Sequence, residues 1–299
     1  MFLYKDIEKR VKVLRRELDV NQISGELRGY SWERPPVEPI NDVKISVSDI
    51  NGICPTKRDI YMKYILKEKP KLNQYMLRGL AYHKVIRDTI ASLKKAMYHG
   101  YNTGERIVEE FFFNTTIPEK VCKRLGVDLE CSDCFKLYKY IVLQVSAKVD
   151  KILSKYPNVD VENIIGLALP PFVERKIDGS LVGLSKYLSL DVYTPYSIIM
   201  DFKSGYERSE HFLSLTGYAL ALEADDEVDV NFGFLIYIKI NKNVYFNVKG
   251  FVVSDELRRE FLEVRDEIAE LVDSGIDPGK PSKCPKYCSY YGVCNEDNN

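Results

Sequence analysis

Asp201 and Lys203 stand two residues apart in the run Ser197-Ile198-Ile199-Met200-Asp201-Phe202-Lys203, whose alternation predicts a strand. Ile198, Met200 and Phe202 fall on one face, and Asp201 and Lys203 fall on the other, expected to be exposed. In the preceding run Leu188, Leu190 and Val192 share a face, leaving Asp191 with Ser189 and Tyr193 opposite. A turn at Thr194-Pro195 folds the two runs into a hairpin, so that Asp191 and Asp201 share one surface. Two carboxylates and a lysine converging at a sheet edge suit phosphodiester hydrolysis. Carboxylates hold one or two hard divalent cations, Mg²⁺ or Mn²⁺, which neutralise the phosphate and activate a water; the lysine orients that water or stabilises developing charge. The same spacing also fits a surface salt bridge between Asp201 and Lys203, with Asp191 merely solvated.

A second constellation is made of thiols. Of seven cysteines, three crowd the C-terminus as Cys284-x3-Cys288-x5-Cys294, and a fourth, Cys54, sits far upstream in the turn Gly52-Ile53-Cys54-Pro55. A terminal segment with Pro281, Pro285 and Gly292 has little apolar surface to hold itself down, so three thiolates and one distant partner read as a metal clamp. Zinc suits four thiolates as well as iron and sulfide do. Cys131-x2-Cys134, with Cys122 nearby, is a pair with no second pair beside it and reads as thiols or an internal disulfide.

These residues need elements to place them. A helix is predicted from Leu3 to Leu18, then an irregular arm, Arg28-Gly29-Tyr30-Ser31-Trp32-Glu33-Arg34-Pro35-Pro36. Ser48 reads as the N-cap of a short turn, and Thr56 as the start of a helix through Tyr61, Tyr64 and Ile65. Leu80, His83, Ile86 and Ile90 recur at helical steps and set His83 on or beside a buried stripe. Leu137, Ile141, Val145 and Val149 mark a further helical face. From Val173 to Lys203 the pattern turns to strands, with Asp178-Gly179 a hairpin turn. A helix from His211 to Glu223, strands Val230 to Ile240 and Val244 to Val253 around Asn241-Lys242-Asn243, and an amphipathic helix ended by Gly275 complete an α/β body with a mixed sheet.

Composition bounds the rest. The chain has 299 residues, 45% of them hydrophobic, enough for one large domain or two modest ones. No run approaches the ~20 apolar residues of a membrane span, and the N-terminus lacks a signal peptide's apolar stretch, so no membrane association and a cytoplasmic location are expected. There the thiols stay reduced, and an odd cysteine count argues for metal binding over a disulfide framework. The net charge of −1 hides local basic runs, Lys5 to Arg16 and Lys57 to Lys71, set against an acidic last long helix. Such runs are solvated helix faces unless they meet at one cleft, where they would bind phosphate.

Asp191-x9-Asp201-Phe202-Lys203 resembles the active site of the PD-(D/E)XK nuclease superfamily, and Arg78-Gly79-x3-His83 resembles the histidine motif of its RecB-like branch. The resemblance implies His83, Asp191 and Asp201 as ligands of Mg²⁺ or Mn²⁺ and Lys203 as the assistant of the attacking water. Leu215-Thr216-Gly217-Tyr218-Ala219-Leu220-Ala221-Leu222-Glu223 resembles the branch's later helix, where a tyrosine and a glutamine contact DNA. Tyr218 matches; the position four before it is Ser214. With Ile45-Ser46-Val47-Ser48-Asp49-Ile50-x3-Cys54-Pro55-x5-Tyr61 and the terminal cysteines, the chain resembles the CRISPR-associated exonuclease family, the fourth Cas protein, an iron–sulfur nuclease family. The arm at Arg28-Gly29-Tyr30-Ser31-Trp32 resembles that of an archaeal type I-A variant.

The resemblance implies a RecB-like nuclease core with a mixed sheet flanked by helices, plus a helical subdomain stapled by a [4Fe–4S] cluster on Cys54, Cys284, Cys288 and Cys294. The implied division is 1–44 for the helix and arm, 45–75 with 280–299 for the cluster subdomain, and 76–279 for the core. Lys57, Arg58 and Tyr218 become DNA-binding candidates. The implied activity is metal-dependent exonuclease or end-trimming endonuclease cleavage during spacer acquisition, with DNA and the acquisition proteins, an integrase and its companion, as partners. The competing readings are a catalytically inactive DNA-binding scaffold of the acquisition complex and a RecB-like nuclease of general DNA repair. Neither oligomeric state nor strand polarity is encoded legibly.

Overall fold

Phe232 to Ile240 is apolar at nearly every position, as a strand with both faces covered must be. In the computed structural model, which describes residues 4–126, 131–194 and 197–296, this strand lies within a five-stranded sheet between two layers of helices. The strands are β1 (Phe172–Ile177), β2 (Leu188–Thr194), β3 (Ile198–Lys203), β4 (Phe232–Ile240) and β5 (Val244–Val252), paired in that order. Only β3 and β4 run parallel, joined by a helical crossover; the other pairs are antiparallel, so the sheet is mixed.

Helices α1 (Tyr4–Val20), α4 (Gln74–Tyr98), α5 (Gly104–Phe111), α6 (Thr116–Leu125), α7 (Cys131–Lys155) and α8 (Val161–Ala168) cover one face. Ile7, Val11 and Leu14 of α1 and Val145 and Val149 of α7 join Met200, Phe202, Phe234 and Ile236 in this first core layer. The other face carries α2 (Val47–Ile50), α3 (Arg58–Tyr64), α9 (Glu210–Asp226) and α10 (Asp255–Ser274). Ile199, Leu235 and Tyr237 point into this second layer, among Leu215, Leu220 and Phe261. A short α11 (Tyr291–Glu296) ends the described chain.

Several expected elements shift. Leu3 and Pro195 lie outside the described residues, although Thr194↔Ile198 pairing confirms that β2 and β3 form a hairpin. Ser46, not Ser48, caps α2: its hydroxyl accepts from Ser48 N–H while Asp49 reaches back to Ser46 N–H, a capping box. Leu80 is exposed rather than part of the α4 stripe. Asp178-Gly179 opens a longer connection with a single 3₁₀ turn at Ser180–Val182 instead of a two-residue hairpin. The Asp201 face of β3 is not exposed: α9 lies over it, and Asp201 is 6% accessible. Nor do Leu188, Leu190 and Val192 share a face, because Leu188 and Leu190 join the second layer and Val192 the first.

The arm after α1 is sewn to α9 and α10 by one buried acid. Glu223 accepts from Arg28 at 2.7 Å, from both terminal nitrogens of Arg258 at 2.7 and 2.9 Å, and from the Gly29 and Val230 amides at 2.8 and 3.0 Å. Gly29 is required by closeness: a Cβ there would stand 1.9 Å from the Leu220 carbonyl oxygen.

Candidate active site

Three side chains from three elements converge. His83 comes from α4, Asp191 from β2 and Asp201 from β3, and one donor atom from each lies within 4.8 Å of the others. His83 Nδ1 stands 2.9 Å from Asp191 Oδ1, and the Phe202 amide donates to Asp191 Oδ2 at 2.8 Å. Lys203 Nζ lies 2.6 Å from Asp201 Oδ2 as an ion pair, yet that oxygen is buried and accepts no hydrogen bond of ordinary geometry. All four residues singled out for chemistry in the sequence thus meet in one place.

Their charges are tuned against one another. Burial pushes the Asp201 carboxyl up from 3.8 to about 6; Lys203 pulls it down, and Asp191 pushes it further up. Burial also resists the charge on Asp191, but the His83 charge and hydrogen bond, with the bonds from Asp201 and the Phe202 amide, together leave Asp191 below its ordinary value. For His83, burial favours the neutral ring, and the Asp191 carboxylate overrides it, raising the imidazole from 6.5 to about 9. Two acids held this close with an imidazole form a donor set for a hard or borderline divalent cation.

Tyr218 of α9 is half-buried, and its phenol is raised by burial and then by the Asp201 and Asp191 charges, so it stays protonated beside the acids. Ser214, one turn earlier, is buried and spent on Asn51 Oδ1 at 2.7 Å. His211 escaped sequence reasoning. It is buried at the start of α9, its Nδ1 lies 3.0 Å from the Tyr237 hydroxyl, and Tyr237 is the register partner of Lys203. Glu174, two strands from Asp201, also belongs to this neighbourhood through its pairing with Arg87 of α4 at 3.0 Å.

The cysteines gather elsewhere. Cys54, Cys288 and Cys294 are buried and Cys284 is half-buried; Met62 and Tyr290 share a small apolar cluster with Cys288 and Cys294. Burial raises the Cys288 thiol to about 11, with added repulsion from Asp59, Cys284 and Cys54, and the Cys294 thiol is raised by burial too. Lys57 and Arg58 lie in this region, not at the acids. Lys57 pairs with Glu267, and Arg58 makes a bidentate clasp to Asp277 at 2.9–3.1 Å. Lys67, Lys69 and Lys71 are exposed on the same segment. Cys122, Cys131 and Cys134 form no disulfide and lie together in the first helical layer, where burial and the two neighbouring thiols raise Cys122.

The family described as CRISPR-associated exonuclease Csa1 matches residues 1–297. A protein with that name from Saccharolobus solfataricus is 31% identical over 296 residues, covering 97% of this chain and 96% of its own. Another with the same name from Thermoproteus tenax is 30% identical over 277 residues, covering 91% of this chain and 92% of its own.

Proposed function

This chain belongs to the family of CRISPR-associated exonucleases described as Csa1, and from that premise we propose that it is a divalent-cation-dependent DNA nuclease trimming DNA ends for spacer acquisition. The observation that supports this reading is the meeting of His83, Asp191 and Asp201 within 4.8 Å, with Lys203 against Asp201.

The donor set fits Mg²⁺ or Mn²⁺. Two carboxylate oxygens and an imidazole nitrogen match their preferences, and the buried Asp201 Oδ2, ion-paired with Lys203 Nζ, accepts no hydrogen bond of ordinary geometry. A cation bound there would neutralise the scissile phosphate and acidify a water for attack. Asp201 and Asp191 hold the negative pole of the site, and His83 fixes Asp191 from the helical side. Lys203 Nζ, 2.6 Å from Asp201, orients the attacking water and offsets charge that develops on the phosphate. The protonated Tyr218 hydroxyl is a donor for the substrate backbone.

Four thiols, Cys54, Cys288 and Cys294 buried and Cys284 half-buried, fit a thiophilic group, and a bound group would relieve the cost that burial puts on the Cys288 and Cys294 thiolates. We assign them a structural [4Fe–4S] cluster that staples the 45–75 segment to 280–299, leaving 76–279 as the nuclease core and 1–44 as helix and arm. DNA and the integrase with its companion are the partners this reading carries, in the cytoplasm. No helix among the described residues is long and apolar enough to cross a membrane.

The deciding experiment is cleavage of end-labelled DNA with Mn²⁺, comparing the intact protein with Asp201→Ala and Lys203→Ala, each checked for folding by circular dichroism. Cleavage by the intact protein, lost by at least ~100-fold in both variants, is expected. Undiminished cleavage in the variants sinks the assignment, and DNA binding without cleavage by the intact protein would establish the scaffold instead.

A further inference from the structure

Asp191 occupies the point where β2 changes face. Leu190 before it belongs to the second core layer and Val192 after it to the first, so regular strand alternation is broken between them. The β1–β2 ladder shows the same break from the other strand. Val173 pairs with Val192 and Arg175 with Leu190, while the pair between them, Glu174 with Asp191, is missing. Glu174 there adopts a left-handed backbone, φ +51°, a conformation that a residue with a Cβ rarely takes inside a strand.

This roll solves a geometric problem. His83 approaches from α4, over the first layer, whereas Asp201 alternates with Met200 and Phe202 of that layer and so faces the second. A carboxylate on a regular strand would serve one face only. At the roll, Asp191 bonds His83 with one oxygen and accepts the Phe202 amide with the other, tying β2 to β3 beyond the last register pair, Val192 with Met200. Something must hold Glu174 in its unfavoured conformation, and Arg87 does so: its Nη1 lies 3.0 Å from Glu174 Oε2. Arg87 sits one helical turn beyond His83 on α4, so the helix that brings the imidazole also grips the kink.

We propose that Glu174 and Arg87 are positioning residues for the cation site. The left-handed turn at Glu174, locked by Arg87, sets the Asp191 carboxylate between His83 and Asp201. The inference rests on reading those three residues as ligands of a divalent cation.

The test is Mn²⁺ affinity of the full chain by titration calorimetry, without DNA. Glu174→Val, whose branched side chain opposes the left-handed region, should weaken binding by ~10-fold or more, in the range seen when outer partners of a metal site are lost. Glu174→Gly, which adopts that region freely, should stay within about threefold of the intact protein. Arg87→Ala should weaken binding by ~10-fold when Glu174 is present, and the double variant Arg87→Ala/Glu174→Gly should recover it. A general loss of packing would not produce that rescue, and Arg87→Ala carries the test if the valine variant does not fold. Equal affinity in the intact, valine and Arg87→Ala proteins, or equal losses for valine and glycine, overturns the proposal. Asp201→Ala separates the two layers of argument: if it leaves Mn²⁺ binding unchanged, the ligand assignment itself fails.

Discussion

His83 and Asp191, 108 residues apart in sequence, are joined at 2.9 Å between the helical layer and the sheet. The pairing is reciprocal: burial disfavours charge on both partners, and the partner's charge together with the shared hydrogen bond and smaller neighbouring contributions outweighs it, raising His83 and lowering Asp191.

In metal-stripped protein, the His83 ring should therefore titrate near 9 rather than 6.5. The folded value lies above the unfolded one, so the stabilisation it brings is full below pH 6.5 and is lost as pH rises through 9. Histidine ring resonances followed by NMR across pH 5 to 10 check this. Asp191→Asn should bring the titration down by at least one unit, because burial then acts without the carboxylate; an unchanged titration would refute the pairing.

Glu223 is fully buried between Arg28 and Arg258, both buried guanidinium groups. Glu223→Leu would leave the fully buried Arg258 without a carboxylate, leave Arg28 only its longer pairing with Asp229 at 3.7 Å, and free the Gly29 and Val230 amides, at a cost of about 3–5 kcal/mol. The check is the urea midpoint, expected to fall by ~1 M or more. A shift under about 1 kcal/mol would mean that the clasp breaks even against apolar packing.

How much of this was legible in sequence follows from range. α10 announces itself through Ser254 as its cap, its apolar period and Gly275 at φ +63°, all local signals. β4 and β5 do so through apolar runs around Asn241-Lys242-Asn243. The convergence of Asp191, Asp201 and Lys203 was legible because types and spacing survive without coordinates. The face assignment of β2 was not, because its break is imposed from β1 by a glutamate in a glycine-like conformation, with no local turn signal. The burial of Asp201 was equally hidden: alternation says which residues share a face, whereas α9, packed from later sequence, decides whether that face meets water. Ser46 and Ser48 are both cap residues by type, and only the reciprocal bond from Asp49 selects the first.

His211 gives a second pH signature, of opposite sign. Burial, reinforced by Lys203, lowers its ring from 6.5 to about 4, with Asp201 opposing; Arg208 lowers it further and Glu210 raises it. The folded state then resists protonation, so stability is full above pH 6.5 and falls as the pH drops from 6.5 toward 4. Other carboxylates add to acid destabilisation, so the measurement is the difference between intact protein and His211→Asn in urea unfolding at pH 7 and pH 4.5. The intact protein should lose more stability than the variant over that interval. Parallel losses would show that the ring is not held neutral.

The C-terminal segment has almost no core of its own. Cys288, Tyr290 and Cys294 bury against Met62, with Ile53, Tyr291 and Val293 packed beside them, and polar ties join the segment to the body: Lys71 amide to Ser289 carbonyl at 3.0 Å, Asn73 Nδ2 to Tyr287 carbonyl at 2.8 Å, Thr56 Oγ1 to Gly279 carbonyl at 2.8 Å, and the Arg58–Asp277 clasp. Exposed pairs of this kind contribute about 0–1 kcal/mol each, too little to hold some twenty residues against chain entropy without a further link among the thiols. Anaerobically purified protein should then show a broad visible band at ~400 nm from a cluster. Cys288→Ser should remove the band and open the chain to limited proteolysis beyond Gly275, while Mn²⁺ binding at His83, Asp191 and Asp201 persists. A colourless protein carrying stoichiometric zinc would assign the four thiols to zinc, and a protease-resistant Cys288→Ser protein would show that the polar ties suffice alone.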